Sequence, residues 1–259
     1  MESGSERDAM RFQAWQLDAL AARPAGTELL SVGPFQVVLP AQPGGDGWVT
    51  LVDREGTAEE LHSAVGRLRS MFARREAALE IEFNESVAPR AGAWLEASGL
   101  KQAERNPLMA CRPDGFRPFA AAGVALQQLN GESPKEELAA FQEIRWTSGG
   151  EVLAQAPTTE RLEAELRSPN SVYLLAHLDG HAAGTGVSHS LKGAAEIVGI
   201  VTRTQDRRRG VAATVSSALV ARHFAAGGDF VFLDAAHEEA ARVYERLGFT
   251  RFGANLVYR

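Results

Sequence analysis

The sequence predicts a mixed α/β protein made of two similar halves. Three observations lead there. Strand and helix patterns alternate along the chain, yet several strands follow one another directly, which excludes an all-parallel sheet. A Pro-, Gly- and Arg-rich stretch without periodicity, Cys111 to Ala121, interrupts the pattern near the middle. Finally, residues 81–109 can be laid without gaps over 230–258 at an offset of 149, with Phe83 on Phe232, Ala91 on Ala240, Glu96 on Glu245, Gly99 on Gly248 and Asn106 on Asn255. The expected organisation is a first domain over 1–111, a linker over 112–121 and a second domain over 122–259.

Taken in order, residues 1–8 are polar and read as frayed, and RFQAWQLDALAA then places Phe12, Trp15, Leu17 and Leu20 at helical spacing. Phe35 to Asp53 reads as strand, loop, strand around the breaker cluster AQPGGDG. Thr57 and Glu60 form a capping-box pattern before a helical stripe of Leu61, Val65, Leu68 and Phe72. ALEIEFN alternates as a strand, and RAGAWLEASG is a short helix closed by Gly99. Past the break come strand GVALQQL, helices near 135–146 and 159–167, and strands SVYLLAHL, AAGTGVSHSL and AEIVGIVTR. A helix over 211–226, strand FVFLDA, helix EEAARVYERLG and a last strand complete the chain. On the 211–226 helix, Val211, Val215, Ala218, Leu219 and Arg222 share a side that can lie on a sheet.

Composition narrows the function. The 259 residues carry 27 basic and 33 acidic side chains, a net charge of -6 that argues against long polyanions such as nucleic acid and against an anionic membrane surface. The single cysteine, Cys111, excludes an internal disulfide and a cysteine zinc cage and fits a reducing compartment. No apolar run has the length of a membrane helix, and MESGSERDAM has no apolar core of a signal peptide, so the expected location is the cytoplasm. Asp and Glu are scattered without metal-ligand spacing, so no metal is expected.

The segment richest in chemistry is AEIVGIVTRTQDRRRGVAATVSSALVARHF, a strand, a tight Arg-Gly turn and a helix. Arg207, Arg208, Arg209, Gly210, Val211 and Ala212 fit R-x-x-G-x-A at a helix start. Gly210 and Ala212 let backbone N–H groups converge on one point, and the helix behind them offers unpaired amides and a positive dipole end, which suits a pyrophosphate. The alternative is a solvated basic turn. Neither G-x-x-x-x-G-K-[ST] nor G-x-G-x-x-G occurs between a strand and a helix, and Gly184-Thr185-Gly186 falls within a predicted strand.

Tyr244 shares a helix face with Ala240 and Leu247, so it is either a core aromatic or a phenol able to protonate a leaving group. Glu196 opens the strand before the loop and is either a solvent-facing strand residue or a base for an ammonium whose pKa is near 10. Gly199, a poor strand former, suggests a bulge or the close approach of a ligand. His189 is the histidine best placed to face a cleft, with a surface or core role as the alternative.

Strand EIVGIVT, loop RRRGVA and A-x-x-x-Y-x-x-x-G-F at 240–249, in this order, resemble the GNAT superfamily of acetyl-coenzyme A-dependent N-acetyltransferases. The resemblance implies two tandem GNAT-like domains, the first degenerate and catalytically silent, since Leu95 stands where the second half has Tyr244. It implies acetyl-CoA as co-substrate, bound by the backbone of Val201 and Thr202 at the pantetheine arm and by the amides of 207–212 at the pyrophosphate. Two central strands would splay to admit that arm. Tyr244 would be the general acid toward the thiolate. Glu196, fourteen residues before Gly210, matches the general base of the histone-acetylating branch. His237 stands where the family often has an asparagine that contacts the cofactor. The acceptor would be a primary amine of a small molecule or peptide, and the protein a monomer or homodimer. The alternatives are a different acyl donor and a non-catalytic acyl-CoA sensor.

Overall fold

A parallel strand–helix–strand crossover occurs once in each half of the chain, and each half is assembled around it. The computed structural model describes residues 4–21, 28–39, 47–52, 56–147, 162–163 and 165–259. The chain divides into two units, the first made of 1–108, 234–237 and 251–259, the second of 109–233 and 238–250.

The first unit contains α1 (Gly4–Ala21), β1 (Leu29–Val32), β2 (Phe35–Val38), β3 (Trp48–Leu51), α2 (Ala58–Ala73), β4 (Ile81–Asn84), α3 (Ala91–Ala97), most of β5 (Gln102–Cys111) and nearly all of the chain's last strand, β11 (Thr250–Tyr258). Its strand order is β1-β2-β3-β4-β11-β5. β3 and β4 run parallel, with Val49 beside Ile81, because α2 carries the chain back between them. α2 buries Leu61, Ala64, Val65, Leu68 and Phe72 against the sheet, the stripe its sequence predicts. The helix starts on a complete capping box: the Thr57 hydroxyl accepts from the Glu60 amide, and the Glu60 carboxylate accepts from the Thr57 amide.

One expectation changes here. Residues 4–8 are not frayed: α1 begins at Gly4, the Ser5 hydroxyl donates to the Phe252 carbonyl at 3.1 Å, and Ala9 and Phe12 are buried. A polar opening is compatible with helix because its neighbours supply the packing. The breaker cluster over 41–46 lies outside the described residues.

The second unit contains β6 (Val124–Leu129), α4 (Lys135–Thr147), β7 (Ser171–Leu178), β8 (His181–Leu191), β9 (Ala194–Thr202), α5 (Val211–Ala225), β10 (Phe230–Asp234) and α6 (Glu238–Arg246). Its order is β10-β9-β8-β7-β6, with the end of β5 beside β10. β6 through β9 pair antiparallel, and β9 with β10 parallel. The helix expected near 159–167 lies partly outside the described residues; Leu162, Glu163 and Glu165 are helical. A core of Leu129, Leu138, Phe141, Ile144, Leu162, Tyr173, Leu175 and Val187 joins α4 to one face of the sheet.

The unit boundaries differ from those expected at 112 and 122. The segment 112–121 is part of the second unit rather than a linker between two, because its backbone finds partners there: Phe119 N–H donates to the Ser217 hydroxyl at 2.8 Å, Ala121 N–H to the Thr214 hydroxyl at 2.9 Å, and Arg117 N–H to the Leu247 carbonyl at 2.9 Å. The strap covers α5 at Thr214 and Ser217, outside the single stripe expected of it, while His223 is buried against the Ser190 hydroxyl and the Gly193 carbonyl, each 3.1 Å away. Arg222, placed on the inner stripe by spacing, is exposed and donates to Gln128 at 2.6 Å. At the other end, residues 251–259 belong to the first unit, where β11 pairs antiparallel with β4, Asn255 beside Asn84 and Tyr258 beside Ile81. The offset of 149 that aligns the two sequences also lays β4, α3 and β5 on β10, α6 and β11.

Candidate active site

β9 and β10 are in register only from Ala194 to Glu196 on one strand and Phe230 to Phe232 on the other. Beyond Glu196 the strands part, and β9 continues to Thr202, half-buried from Val198 onward. On its other side β9 stays paired to β8, with Glu196 opposite His189. That pairing slips by one residue between Val198 and Val201, a β-bulge at Gly199, whose φ is +60° and whose carbonyl accepts the Thr185 hydroxyl at 3.1 Å. The bulge expected of Gly199 is therefore present.

The loop that follows is fixed from below. A 3₁₀ turn at Thr204–Asp206 ends β9, and the buried Asp206 carboxylate is held by His181 Nε2 at 3.1 Å. Arg207 is extended, Arg208 is left-handed at φ +62°, and Gly210 is left-handed at φ +82° as the N-cap of α5. A side chain at Gly210 meets a second obstacle, since a Cβ would lie 2.7 Å from that of Ala121. No side chain caps α5 and no acid occupies its first turn, so its first amides and its positive end remain for an anion. Arg209 is held by Asp179 at 2.6 Å, which steadies the loop from the solvent side. The Thr202 hydroxyl, at the end of the parted strand, is buried and has no hydrogen-bond partner among the described residues. These features fit a ligand with a polar arm and a pyrophosphate. The first unit differs at the matching place: Thr57 occupies the start of α2 and Glu60 adds negative charge there.

Gly184 and Gly186 lie in β8 for a packing reason. Cβ atoms there would strike the side chains of Val211 and Val215, so the two glycines let α5 sit close on the sheet.

Tyr244 projects from α6 and is 7% exposed, its ring 5.8 Å from that of Phe249. The carbonyl of Tyr244 accepts from Leu247 and Phe249, and the chain turns at Gly248 with φ +94°. There a Cβ would strike the Gly115 carbonyl, so this glycine is required both by its dihedral angle and by the strap that crosses it. Tyr244 is thus packed as the core reading expects. His237 falls in the first unit with Asp234 to Ala236, whereas Glu196, Val201, Thr202, 207–212 and Tyr244 share the second.

On the face of the sheet that carries α4, His189 Nδ1 is hydrogen-bonded to the Ser171 hydroxyl at 2.8 Å and its ring stands edge-on to Tyr173. Burial, and then the nearby positive charge of Arg145, hold the His189 pKa below its ordinary value. Tyr173 donates to Glu165, and burial pushes its pKa up to about 12. The sequence offered no sign of Tyr173, Glu165 or Ser171, and Arg145 read only as part of a helix. The available signal was Gly199, since an unexplained strand glycine marks a place where something lies on the backbone.

With this geometry in hand, the sequence signature of the acetyltransferase (GNAT) family matches residues 138–249. The second unit is a GNAT acetyltransferase domain. No curated protein sequence matches the chain. Among solved structures, a GCN5-related N-acetyltransferase from Kribbella flavida is 22% identical and superposes with a TM-score of 0.76 over 96% of this chain and 94% of its own. One from Sphaerobacter thermophilus is 17% identical, with a TM-score of 0.71 over 97% and 88%. A tandem GNAT protein from the clavulanic acid biosynthesis pathway is 16% identical, with a TM-score of 0.62 over 100% and 96%. At these identities the likeness is one of fold, and the whole chain has the tandem GNAT fold, with the family signature in its second half alone. Among the described residues no cluster of three or more His, Cys, Asp or Glu is gathered for a metal, and no helix is long and apolar enough to cross a membrane.

Proposed function

We propose that the second unit transfers an acetyl group from acetyl-CoA to a primary amine of a small molecule or peptide, by direct attack with both substrates bound. One observation carries this reading: the two strands part at Glu196, beside an uncapped helix start of the kind that receives a pyrophosphate. The amides of 207–212 would hold the pyrophosphate, with Arg207 and Arg208 adding charge, while the backbone of Val201 and Thr202 and the Thr202 hydroxyl would hold the pantetheine arm. His237 would add a contact at the start of α6.

Acetyl-CoA supplies an activated thioester. Glu196, directly or through a water it orients, accepts a proton from the acceptor ammonium, so that the neutral amine can form the new C–N bond. Amides of β9 freed where the strands part stabilise the oxyanion. As the C–S bond breaks, the Tyr244 hydroxyl donates its proton to the sulfur. The first unit takes no part in this chemistry, since its matching helix start is closed by Thr57 and Glu60.

The test is thiol release from acetyl-CoA across amino acids, peptides, polyamines and aminoglycosides. An active acceptor is expected, with Glu196→Gln lowering kcat by on the order of 10²- to 10⁴-fold. Full turnover in both Glu196→Gln and Tyr244→Phe would overturn the assigned roles. Binding of acetyl-CoA without thiol release for any acceptor would instead favour a sensor.

A further inference from the structure

Arg145 lies on the backbone of β9 at its bulge. It projects from α4, which packs on β8 and β9, and a Cβ at Gly199 would meet its Nε at 3.3 Å and its Cζ at 3.7 Å. Only a bare backbone leaves room for a guanidinium there. Elsewhere Arg203 is paired with Glu143 and Arg259 with Glu80. Arg145 is half-buried, and among the described residues no carboxylate forms an ion pair with it; its guanidinium lies 5.5 Å from the centre of the Trp146 ring. The neighbouring acid, Glu165, takes the hydroxyl of Tyr173, and His189 is satisfied by Ser171. Half-burying a cation without a carboxylate is costly unless a ligand completes it.

From this arrangement we infer that Arg145 is a carboxylate-binding subsite for the acceptor, and that the acceptor is an amine that also bears a carboxylate, as an amino acid or a short peptide with a free C-terminus does. The inference rests on the acetyl-transfer reading given above and specifies its substrate. A planar guanidinium matches a carboxylate with two parallel hydrogen bonds. Glu196 and Gly199 are three residues apart on one strand, about 10 Å of backbone, and the Glu196 and Arg145 side chains shorten that interval at both ends. An ammonium at Glu196 and a carboxylate at Arg145 therefore match a zwitterion of amino-acid or dipeptide size, with the amine at the point where the strands part. Of the remaining groups of this face, Ser171, Tyr173 and His189 supply polar contacts, and Glu165, an anion, accepts the Tyr173 hydroxyl, so among the described residues Arg145 is the cation left to receive a carboxylate.

The same carboxylate could instead arrive on the acyl chain of a carboxyacyl-CoA, so the experiment has two arms. In the first, the full chain with acetyl-CoA is given matched acceptors with and without the carboxylate: lysine against cadaverine, phenylalanine against phenethylamine, and a dipeptide against its C-terminal amide. The carboxylate members should have kcat/KM higher by ~10- to 100-fold, the value of a hydrogen-bonded charge. Arg145→Met should bring the ratio within each pair close to one, and Arg145→Lys should restore part of it; because the readout is a ratio, partial loss of fold does not imitate it. Equal or better use of the amines lacking a carboxylate by the unmodified protein would overturn the inference while leaving acetyl transfer intact. In the second arm, an Arg145-dependent preference for succinyl-CoA over acetyl-CoA with plain amines would assign the carboxylate to the donor and overturn the inference as well. Absence of thiol release in every combination would overturn the transfer reading together with the inference.

Discussion

Glu196 and Phe232 form the last registered pair between β9 and β10. The glutamate is therefore held by paired strand on one side of that point and faces opened strand on the other. Its position is fixed by backbone hydrogen bonds, while the space beside it is left for a ligand.

Tyr244→Phe tests whether the hydroxyl or only the ring matters. The ring packs against Phe249 in a buried site, and phenylalanine fills the same volume, so stability should change by less than about 1.5 kcal/mol. Thiol release should fall by on the order of 10²-fold. Thermal melts and steady-state kinetics on the same preparation separate the two effects.

Gly210→Ala should weaken cofactor binding more than any neighbouring loop change. The left-handed dihedral angle and the 2.7 Å approach of Ala121 both act against a methyl group. The cost is about 1–3 kcal/mol of strain, relieved by moving the very turn whose amides would hold the pyrophosphate. Calorimetric titration with CoA should show the loss, and denaturant unfolding should show the strain.

Thr57→Ala should do the reverse. It removes the capping box of α2 and should cost about 0.5–2 kcal/mol in unfolding. Turnover should be unchanged, because this helix start serves the first unit alone. A fall in kcat with intact stability would contradict the silence assigned to that unit.

His189 predicts a slope in acid. Its folded pKa lies below the ordinary value because burial and Arg145 oppose the imidazolium. The unfolded chain therefore binds the proton more readily, and stability is lost as the pH falls below about 6.5 toward the folded pKa. His189→Gln should flatten the fall in melting temperature between pH 7.5 and 5, since it cannot charge.

The second half was legible because its signals are local. The turn RRRGVA, the glycine at 199 and the Tyr244 to Gly248 interval each need only a few consecutive residues, and the structure places each on the element expected. The capping box at Thr57 and Glu60 was legible for the same reason. What escaped the reading depends on partners far away in sequence. Residues 112–121 lack periodicity and so resemble a linker, yet their amides bond to Ser217 and Thr214, nearly a hundred positions on. The last strand reads as a strand, but nothing in its own residues says that β4, more than 160 positions earlier, is its neighbour. Arg145 escaped because a charged residue on a helix reads as surface until the bare backbone beneath it is known.

The pairing of β11 with β4 also bears on how the protein is made. As the chain emerges from a ribosome, β4 appears well before the strand that covers its edge, so the first unit waits with an open strand while the second unit is synthesised. Gene fragments divided at the expected boundaries would each inherit this deficit: 1–111 lacks the strand that closes its sheet, and 122–259 carries that strand without its partner and lacks the strap over α5. Expression and ligand screens are therefore best planned on the undivided chain, in which Lys101 and Arg259 keep their paired backbone hydrogen bonds.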